Sequence, residues 1–378
     1  MSEDPLEQDA SVAIDLSRRK DPVLRTSLVE ARRVAAPYVT MTRIALMRLG
    51  TSRLARVGGL ILACLALVAI FADLLASDLP VACRWRGVTY VLPNVTRPAS
   101  LSELDCARMA REREDGDWIV RPLVPFGPLQ TGEDSEVLLA PLNHGHPLGT
   151  DALGRDVFAR VVHGTRTALG VGLAASMLLV AIGVLLGALA GFAGGFVDGL
   201  VARAIESLTA IPTLVLVLVV GALVPHPTTA TLLWTIALTR WTELARLVRA
   251  EVLMALGQDY VTAARALGAS PVRVLWRHVL PNAIGPAIVA MAFGIASVVL
   301  MEAAVDFLRV GSPDTIASWG EAMGEARTHA DAWWLVAFPG LALLATLVSS
   351  SLVGEAARDA LDPKLRGREP GLVGGAGP

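Results

Sequence analysis

Long stretches with few or no charges alternate with polar, arginine-rich segments along the chain. A helix that crosses the hydrocarbon core of a membrane needs about 20 mostly apolar residues. Five stretches are of this length or longer: 57–75, 167–197, 207–239, 282–301 and 332–354. The third is too long for one span and contains Pro225 and Pro227, which favour a turn. We therefore predict six transmembrane helices, the third ending near Val224 and the fourth beginning near Thr228.

The distribution of arginines assigns the predicted helices to sides of the membrane. The loop after the fourth span contains five of them: Arg246, Arg249, Arg265, Arg273 and Arg277. The loop 310–331, after the fifth span, contains Arg327 alone against four acidic residues. Cytoplasmic loops carry the excess of basic residues, so the loop 246–282 and both termini are predicted to be cytoplasmic.

Composition agrees with a membrane protein and argues against one enzymatic activity. Of the 378 residues, 53% are hydrophobic and only 18% are charged, whereas soluble domains average about 25% charged residues. Lys20 and Lys364 are the only lysines, and neither follows a glycine. A phosphate-binding loop needs Gly-Lys followed by Ser or Thr, so ATP hydrolysis by that route is not predicted. The first apolar run begins too far along the chain for a cleaved leader.

Two soluble segments complete the predicted organisation. Residues 1–56 form a cytoplasmic N-terminal segment whose end has the pattern of an interfacial helix, since four arginines alternate there with apolar residues: Arg43, Arg48, Arg53 and Arg56. The first transmembrane helix, 57–76, leads into a large extracytoplasmic insertion, 77–158. The five-helix core follows at 159–355, and the cytoplasmic tail at 356–378.

The insertion is predicted to fold with some β structure. Its stretch "CRWRGVTYVLPNV" contains strand-forming residues bounded by turn signals. An oxidising exterior would permit a disulfide between Cys83 and Cys106, but their spacing leaves the pairing open. No metal-ligand spacing links the cysteines, and His144 and His146 are expected in a solvated turn rather than at a metal.

The polar segment "QDYVTAARALGASPVRVLWRHVLPN", residues 258–282, predicts two short helices joined by a tight elbow. Asp259 is a candidate N-cap for the first helix, and Gly268 a candidate stop. Ser270 is expected to cap a second helix with Pro271 at its first position, and Pro281 to end it. An elbow joined rigidly to the fourth and fifth spans could move them if another protein gripped it. A basic loop that only sets topology is the alternative.

The same segment resembles the cytoplasmic coupling motif of ABC-importer permeases, in the form found in the dipeptide/oligopeptide/nickel group. Thr262 stands where the general motif has a glutamate. Four further stretches resemble blocks of the C-type subunit, in the same order: "HPLGTDALGRDVFARVVHGTRTALGVG" (146–172), "SWGEAM" (318–323), "WWLVAFPG" (333–340) and "LVGEAARDALDPKLRG" (352–367).

The resemblance implies an all-α membrane protein with the six-helix type I ABC importer permease fold. It implies a non-catalytic subunit of the cytoplasmic (inner) membrane that pairs with a B-type permease. Two ATPase subunits, which bind ATP and Mg, and an extracytoplasmic solute-binding protein would complete the assembly in the lipid bilayer, with no cofactor on this chain and no nucleic acid. The residues expected to contact an ATPase are Asp259, Tyr260, Ala263, Ala264, Arg265, Gly268, Ala269, Ser270, Pro271, Arg273, Leu280 and Pro281.

Several charged residues elsewhere allow two interpretations. Glu302 and Asp306, near the end of the fifth span, could line the translocation path or its outer gate. The alternative is an Asp306–Arg309 pair at a helix end that reaches water, which we favour. Arg155 and Asp156 are expected to pair with each other at the outer face, with docking of the binding protein as the alternative. Asp198, Arg203 and Glu206 are expected on the surface at helix ends, with contact to an ATPase as the alternative.

The positions of small and aromatic residues in the spans lead to two further predictions. Five glycines of the second span are expected to contact the partner permease: Gly170, Gly172, Gly183, Gly187 and Gly191. Trp333 and Trp334 are expected in an interfacial aromatic belt.

Three rival functions remain open at this point. An ion-coupled secondary transporter would need carboxylates near the membrane midplane, and none of the predicted spans carries an Asp or Glu in mid-run. A scaffold subunit that conducts nothing differs from a permease only in a transport assay. Within the resembled family, nickel and peptide importers share these motifs, so the solute and the import direction rest on resemblance.

Overall fold

The computed structural model describes residues 52–132, 137–225, 228–309 and 316–361. Helices dominate, and the predicted interfacial helix lies largely outside these ranges. The helices before residue 150 are α1 (Arg53–Ile70), α2 (Ala72–Leu75), α3 (Pro93–Thr96) and α4 (Cys106–Glu112). Those that follow are α5 (Val157–Ala193), α6 (Gly195–Thr209), α7 (Thr213–Leu223), α8 (Thr229–Leu256), α9 (Asp259–Ala266), α10 (Pro271–Val274), α11 (Leu280–Ala283), α12 (Gly285–Phe307), α13 (Trp319–Glu325) and α14 (Trp334–Leu361).

Four of these helices, α1, α5, α12 and α14, are long and apolar enough to cross a membrane. The pair α6 and α7, bent by 80° at the break between them, gives a fifth span if it crosses as one. Helix α8 has 28 residues, but its first five turns contain Arg240, Glu243 and Arg246. Length and composition in the described ranges therefore support four or five spans.

The third uncharged stretch is broken at two places, near its start and at its centre. The predicted turn at its centre is confirmed, because α7 ends at Leu223 and α8 begins at Thr229, where the Thr228 hydroxyl accepts a hydrogen bond from the amide of Thr231. The expectation of one continuous helix from residue 207 is wrong. Pro212 precedes α7 as its N-cap, and a residue before proline is disfavoured in helical conformation, so the chain bends there.

Glycines of α5 let two neighbouring helices of the same chain approach closely. A methyl group on Gly187 would lie 2.5 Å from the carbonyl oxygen of Ala245 in α8, and one on Gly183 would lie 2.9 Å from Cβ of Leu244. Gly191 likewise faces α8, and Gly172 faces α12. The expectation that these glycines contact a partner permease is therefore wrong for four of the five, because contacts within the chain already occupy them. Gly170, the fifth, has no such neighbour.

Residues between α2 and α5 contain the β structure predicted for the insertion. Strands β1 (Ala82–Trp85), β2 (Val88–Val91) and β3 (Trp118–Val120) form an antiparallel sheet in the order β2-β1-β3. One face of the sheet covers a small core of Leu79, Cys83, Trp85, Leu101 and Met109. Cys83 and Cys106 are buried free thiols, so the disulfide left open by their spacing is not formed in this structure.

Candidate functional site

The elbow begins with α9, whose end is fixed by a Schellman motif. The amide of Ala269 donates to the carbonyl of Ala264 at 3.0 Å, and the amide of Gly268 donates to the carbonyl of Arg265 at 3.0 Å. Gly268 has φ +84°, a conformation that favours glycine. The expected helix stop at Gly268 is confirmed. The N-cap is Gln258, one residue before the expected one, and Asp259 lies in the first turn, where a carboxylate is favourable to the helix dipole.

The second arm of the elbow starts as predicted but does not end at Pro281. The Ser270 hydroxyl accepts a hydrogen bond from the amide of Arg273, and Pro271 follows at the first helical position. A π-helical turn, Leu275–Val279, then leads directly into α11, with the Leu280 amide bonded to the Leu275 carbonyl. The wider turn shifts the hydrogen-bond ladder just before Pro281, which has no N–H to donate. The arm therefore continues towards α12.

Buried valines join both arms to the long helices. Val261 of α9, Val274 of α10 and Val279 of the π turn are completely buried. They belong to the same apolar cluster as Val252 of α8 and Ala287 of α12. Since close-packed interiors transmit displacement, a force on the elbow would reach α8 and α12.

The opposite face of the elbow is exposed and partly apolar. Leu267 is 89% exposed, Val272 66% and Trp276 63%, with Arg265 and Arg273 exposed beside them. Large apolar side chains clustered on a surface mark contact sites for other molecules. This surface, residues 265–276, is called the elbow face below.

Most residues expected to contact an ATPase lie on the outside of the elbow. Nine of them are exposed: Asp259, Tyr260, Ala263, Arg265, Gly268, Ser270, Pro271, Arg273 and Pro281. Ala269 and Leu280 are half-buried. Ala264 is buried, so its side chain faces the bundle. Leu267, Val272 and Trp276 were not among the contact residues predicted from the sequence. Their large apolar side chains on an otherwise polar segment were the signal that could have identified them.

At the start of α5 lies a buried ion cluster that the sequence did not predict. Its members are Asp151, Arg155, Arg160, Glu321 and Glu325, all at most 9% exposed. The Arg155 guanidinium contacts Asp151 at 2.7 Å and Glu325 at 2.6 Å, and that of Arg160 contacts Glu321 and Glu325, each at 2.9 Å. Arg160 also pairs with Asp151. Three carboxylates and two guanidiniums thus join the segment 151–160 to α13.

Burial affects the ionisation of this cluster. It raises the pKa of the Glu321 carboxyl above its ordinary value, while Arg160 and Arg155 act in the opposite direction. The expected pair between Arg155 and Asp156 is wrong, because Asp156 has a different role. One of its oxygens accepts from the amide of Ala159 at 2.7 Å and so caps α5.

The second oxygen of Asp156 lies 2.8 Å from Nδ1 of His146. His146 is buried and stacks on Phe126 with ring centroids 4.1 Å apart, so the solvated turn expected for it is wrong.

Trp334 is also buried and donates to the Thr150 carbonyl at 2.9 Å, whereas Trp333 is exposed. Within the described ranges, no group of three or more His, Cys, Asp or Glu residues is arranged to hold a metal ion.

Glu302 and Asp306 are buried against α13 rather than reaching water. The Ser318 hydroxyl donates to Glu302 at 3.3 Å. A methyl group on Gly320 would lie 2.8 Å from Cβ of Asp306, which shows how closely α12 and α13 approach. The expectation of solvated side chains at a helix end is therefore wrong for this pair.

Two further surface charges form an unexpected contact. Arg249 of α8 and Asp198 of α6 form a bidentate ion pair. The Arg249 Nε lies 2.5 Å from Oδ1 of Asp198, and its Nη2 lies 2.7 Å from Oδ2. Arg203 and Glu206 are exposed and pair with each other at 3.0 Å, as a surface location predicts.

Four described helices of membrane-spanning length indicate a membrane protein, and the exposed apolar side chains of the elbow face offer a contact surface to another protein. Residues 183–367 match the family described as binding-protein-dependent transport system inner membrane component. The chain is 40% identical to the dipeptide transport system permease protein DppC of Escherichia coli K12, over 66% of this chain and 83% of that protein. It is 30% identical to the oligopeptide transport system permease protein OppC of Bacillus subtilis, over 89% of this chain and 94% of that protein. It is 38% identical to the di/tripeptide transport system permease protein DppC of Pseudomonas aeruginosa, over 58% of this chain and 72% of that protein.

The chain belongs to this family, and it is a C-type permease subunit of an ABC importer. Family membership sets aside the ion-coupled transporter. Glu243, which follows the uncharged stretch, lies in the middle of α8.

Proposed function

We propose that this chain forms, with a B-type permease, the path by which an importer carries di- or oligopeptides across the cytoplasmic membrane. The observation that carries the proposal is the elbow: an exposed apolar face on a short helix pair whose buried side is continuous with α8 and α12. The names of the relatives supply the class of solute. ATP and Mg would act on two partner ATPase subunits, and a solute-binding protein would deliver the peptide.

The proposed topology has six spans and both termini in the cytoplasm. The spans are α1, α5, α6 with α7, α8, α12 and α14, so that the elbow faces the ATPases. The domain limits proposed from the sequence, 57–76, 77–158, 159–355 and 356–378, follow this scheme, and the insertion would lie outside near the binding protein or partner permease. Glu302 and Asp306, packed against α13, would hold the outer gate rather than touch solute. Labelling of single-cysteine variants from each side of the membrane tests this, and external labelling at position 273 would contradict it.

The coupling role of the elbow face is tested by making it polar. Leu267→Asp in the assembled transporter should lower peptide uptake and weaken copurification of the ATPases. The matched control is Leu142→Asp, compared by ATPase recovery, since Leu142 is similarly exposed, at 84%, but lies in the insertion, on the other side of the membrane in the proposed topology. Equal ATPase recovery from both variants would show that the elbow face does not bind the ATPases.

The solute is tested with the complete system in cells that lack their own peptide and nickel importers. Radiolabelled di- and oligopeptides should accumulate in an ATP-dependent manner, and loss of this chain should abolish accumulation. Accumulation of nickel without peptide would replace the proposed solute, and accumulation of neither would support a scaffold subunit.

A further inference from the structure

A cavity of about 330 Å³ lies between α5, α8 and α12. Its walls include Arg240 and Glu243, the apolar side chains of Leu247 and Phe293, and Gly294 and Ser297. Volumes of this order suit small ligands, and a mostly apolar lining with a few convergent polar groups is typical of a binding site. Arg240 and Glu243 are the only charged residues among the described ones that line it.

The cavity lies deep within the helices that form it. Leu179, which also lines it, stands about 20 Å from the end of α5 at Ala193, given a rise of about 1.5 Å per residue. Ser297 stands about 18 Å from the start of α12 by the same measure. The hydrocarbon core is about 30 Å thick, so both positions would fall near its middle in the proposed topology. Charged residues at such depth are costly, and they mark solute pathways by default.

The two charges are placed to bind further groups. Arg240 and Glu243 are one turn apart on α8 and therefore on the same face. Their closest atoms, Arg240 Nη2 and Glu243 Oε2, are 3.4 Å apart, longer than the 2.7–2.9 Å usual for charge-assisted bonds. The Glu243 side chain is 67% exposed and that of Arg240 19%. A guanidinium has five N–H donors, so this long contact leaves donors free to bind an anion.

We propose that this cavity binds the two charged termini of a short peptide during passage. The peptide carboxylate would accept hydrogen bonds from Arg240, and the peptide ammonium would donate to Glu243. The charges of an extended dipeptide are roughly 7 Å apart, at about 3.5 Å per residue, so both could be reached once the two side chains part. Leu247 and Phe293 would contact the apolar side chains of the peptide. This inference rests on the proposed function and narrows its solute to short peptides with free termini.

The test compares uptake of three labelled dipeptides by the complete transporter: free Ala-Phe, its C-terminal amide, and its N-acetylated form. Arg240→Gln should lower the preference for Ala-Phe over the amide, and Glu243→Gln the preference over the acetylated form. Each loss should be about tenfold or more, since hydrogen bonds to charged groups contribute about 1.5–3 kcal/mol. The binding protein is the same in every variant, so its own selectivity cancels when the ratios are compared.

The matched control is the pair Arg203 and Glu206 on α6, which has the same i, i+3 spacing and lies outside the cavity lining. Arg203→Gln and Glu206→Gln should leave both ratios unchanged. If the cavity variants also keep the wild-type ratios, the inference is overturned while the proposed function stands. If the wild-type transporter accumulates no peptide, the proposed function fails, and the inference fails with it.

A second measurement leaves both charges in place, in case their removal prevents assembly. Ser297→Cys would be made in a Cys64→Ser background, because Cys64 is exposed while Cys83 and Cys106 are buried. Saturating Ala-Phe should slow maleimide labelling at position 297 of the assembled transporter, and N-acetyl-Ala-Phe-amide should not. Equal labelling rates with both peptides would overturn the inference.

Discussion

Asn282 donates a hydrogen bond from its side-chain amide to the hydroxyl of Tyr260, across 3.1 Å. The two residues stand at opposite ends of the elbow, in α11 and α9. Asn282 also donates to the His278 carbonyl at 2.8 Å. One side chain thus closes the two arms on each other, while the buried valines join them to the long helices. A closed elbow can transmit force because its arms cannot bend independently.

The bend of the elbow should depend on Gly268. Gly268→Ala places a Cβ at φ +84°, which costs about 1–2 kcal/mol, although no atom lies within 4 Å of that Cβ. We expect less peptide transported per ATP hydrolysed, with assembly retained. Both rates can be measured in proteoliposomes.

Gly257 provides the control for that substitution. It precedes α9 with φ −81° and has room for a methyl group, 3.6 Å from its nearest neighbour. Gly257→Ala should therefore keep the wild-type ratio of transport to hydrolysis. If Gly268→Ala keeps it too, the bend is not required for coupling.

The buried ion cluster should make Arg160 important for stability. Arg160→Met leaves three buried carboxylates facing Arg155 alone, and breaking a buried ion pair on one side costs about 3–5 kcal/mol. We expect a large fall in the thermal unfolding midpoint of the detergent-purified transporter. Adding Glu325→Gln should restore part of the loss, because it removes one uncompensated negative charge.

An exposed ion pair offers the comparison. Arg108 pairs with Glu112 at 2.9 Å with both side chains nearly half exposed, and such pairs contribute at most about 1 kcal/mol. Arg108→Met should hardly move the midpoint. Equal midpoints for the Arg108 and Arg160 variants would mean that the cluster does not stabilise the fold.

How much the sequence predicts depends on whether a feature is local. Gly268, Ser270 and Pro271 each act on the backbone within a few residues, so the elbow could be placed before the structure was known. The ion cluster could not, because Arg160 meets Glu321 and Glu325 only after α13 folds against α5. The sequence analysis paired Arg155 with its neighbour Asp156 instead, although side chains one residue apart at the start of a helix point in different directions.

The spans show the same distinction. Stretches without charge located α1, α5, α12 and α14, because hydrophobicity is carried by each residue alone. The position of Arg240 and Glu243 in the middle of α8 was missed because this helix continues well beyond the uncharged stretch that identified it. The partners of the glycines in α5 were also assigned wrongly, since a small residue permits close approach without specifying the helix that approaches.

The contact between α5 and α8 should be sensitive to single methyl groups. Gly187→Ala would place its methyl 2.5 Å from a backbone oxygen that cannot move aside, and overpacking of this kind costs about 1–3 kcal/mol. The thermal midpoint of the purified transporter should fall. Gly170→Ala, on the same helix with open space around it, should leave the midpoint unchanged or raise it, since alanine favours helix over glycine by about 1 kcal/mol. A fall for both variants would point to a general intolerance of α5 and not to its contact with α8.

Cys106 should react with alkylating reagents only when the insertion unfolds. Burial raises the pKa of its thiol to about 12, and the pKa of Cys83 is raised by burial as well. Because the thiolate is the nucleophile, only a very small fraction of Cys106 is reactive at pH 8. Its alkylation rate should rise about tenfold per pH unit up to the pKa, whereas an unperturbed thiol levels off near pH 8.5. The rates can be followed by mass spectrometry with iodoacetamide, using Ser102→Cys, an exposed position in the same insertion, as the reference thiol.

Denaturation without reductant should expose both native thiols at once. A pair that stays unmodified until a reductant is added would show instead that Cys83 and Cys106 are joined by a disulfide.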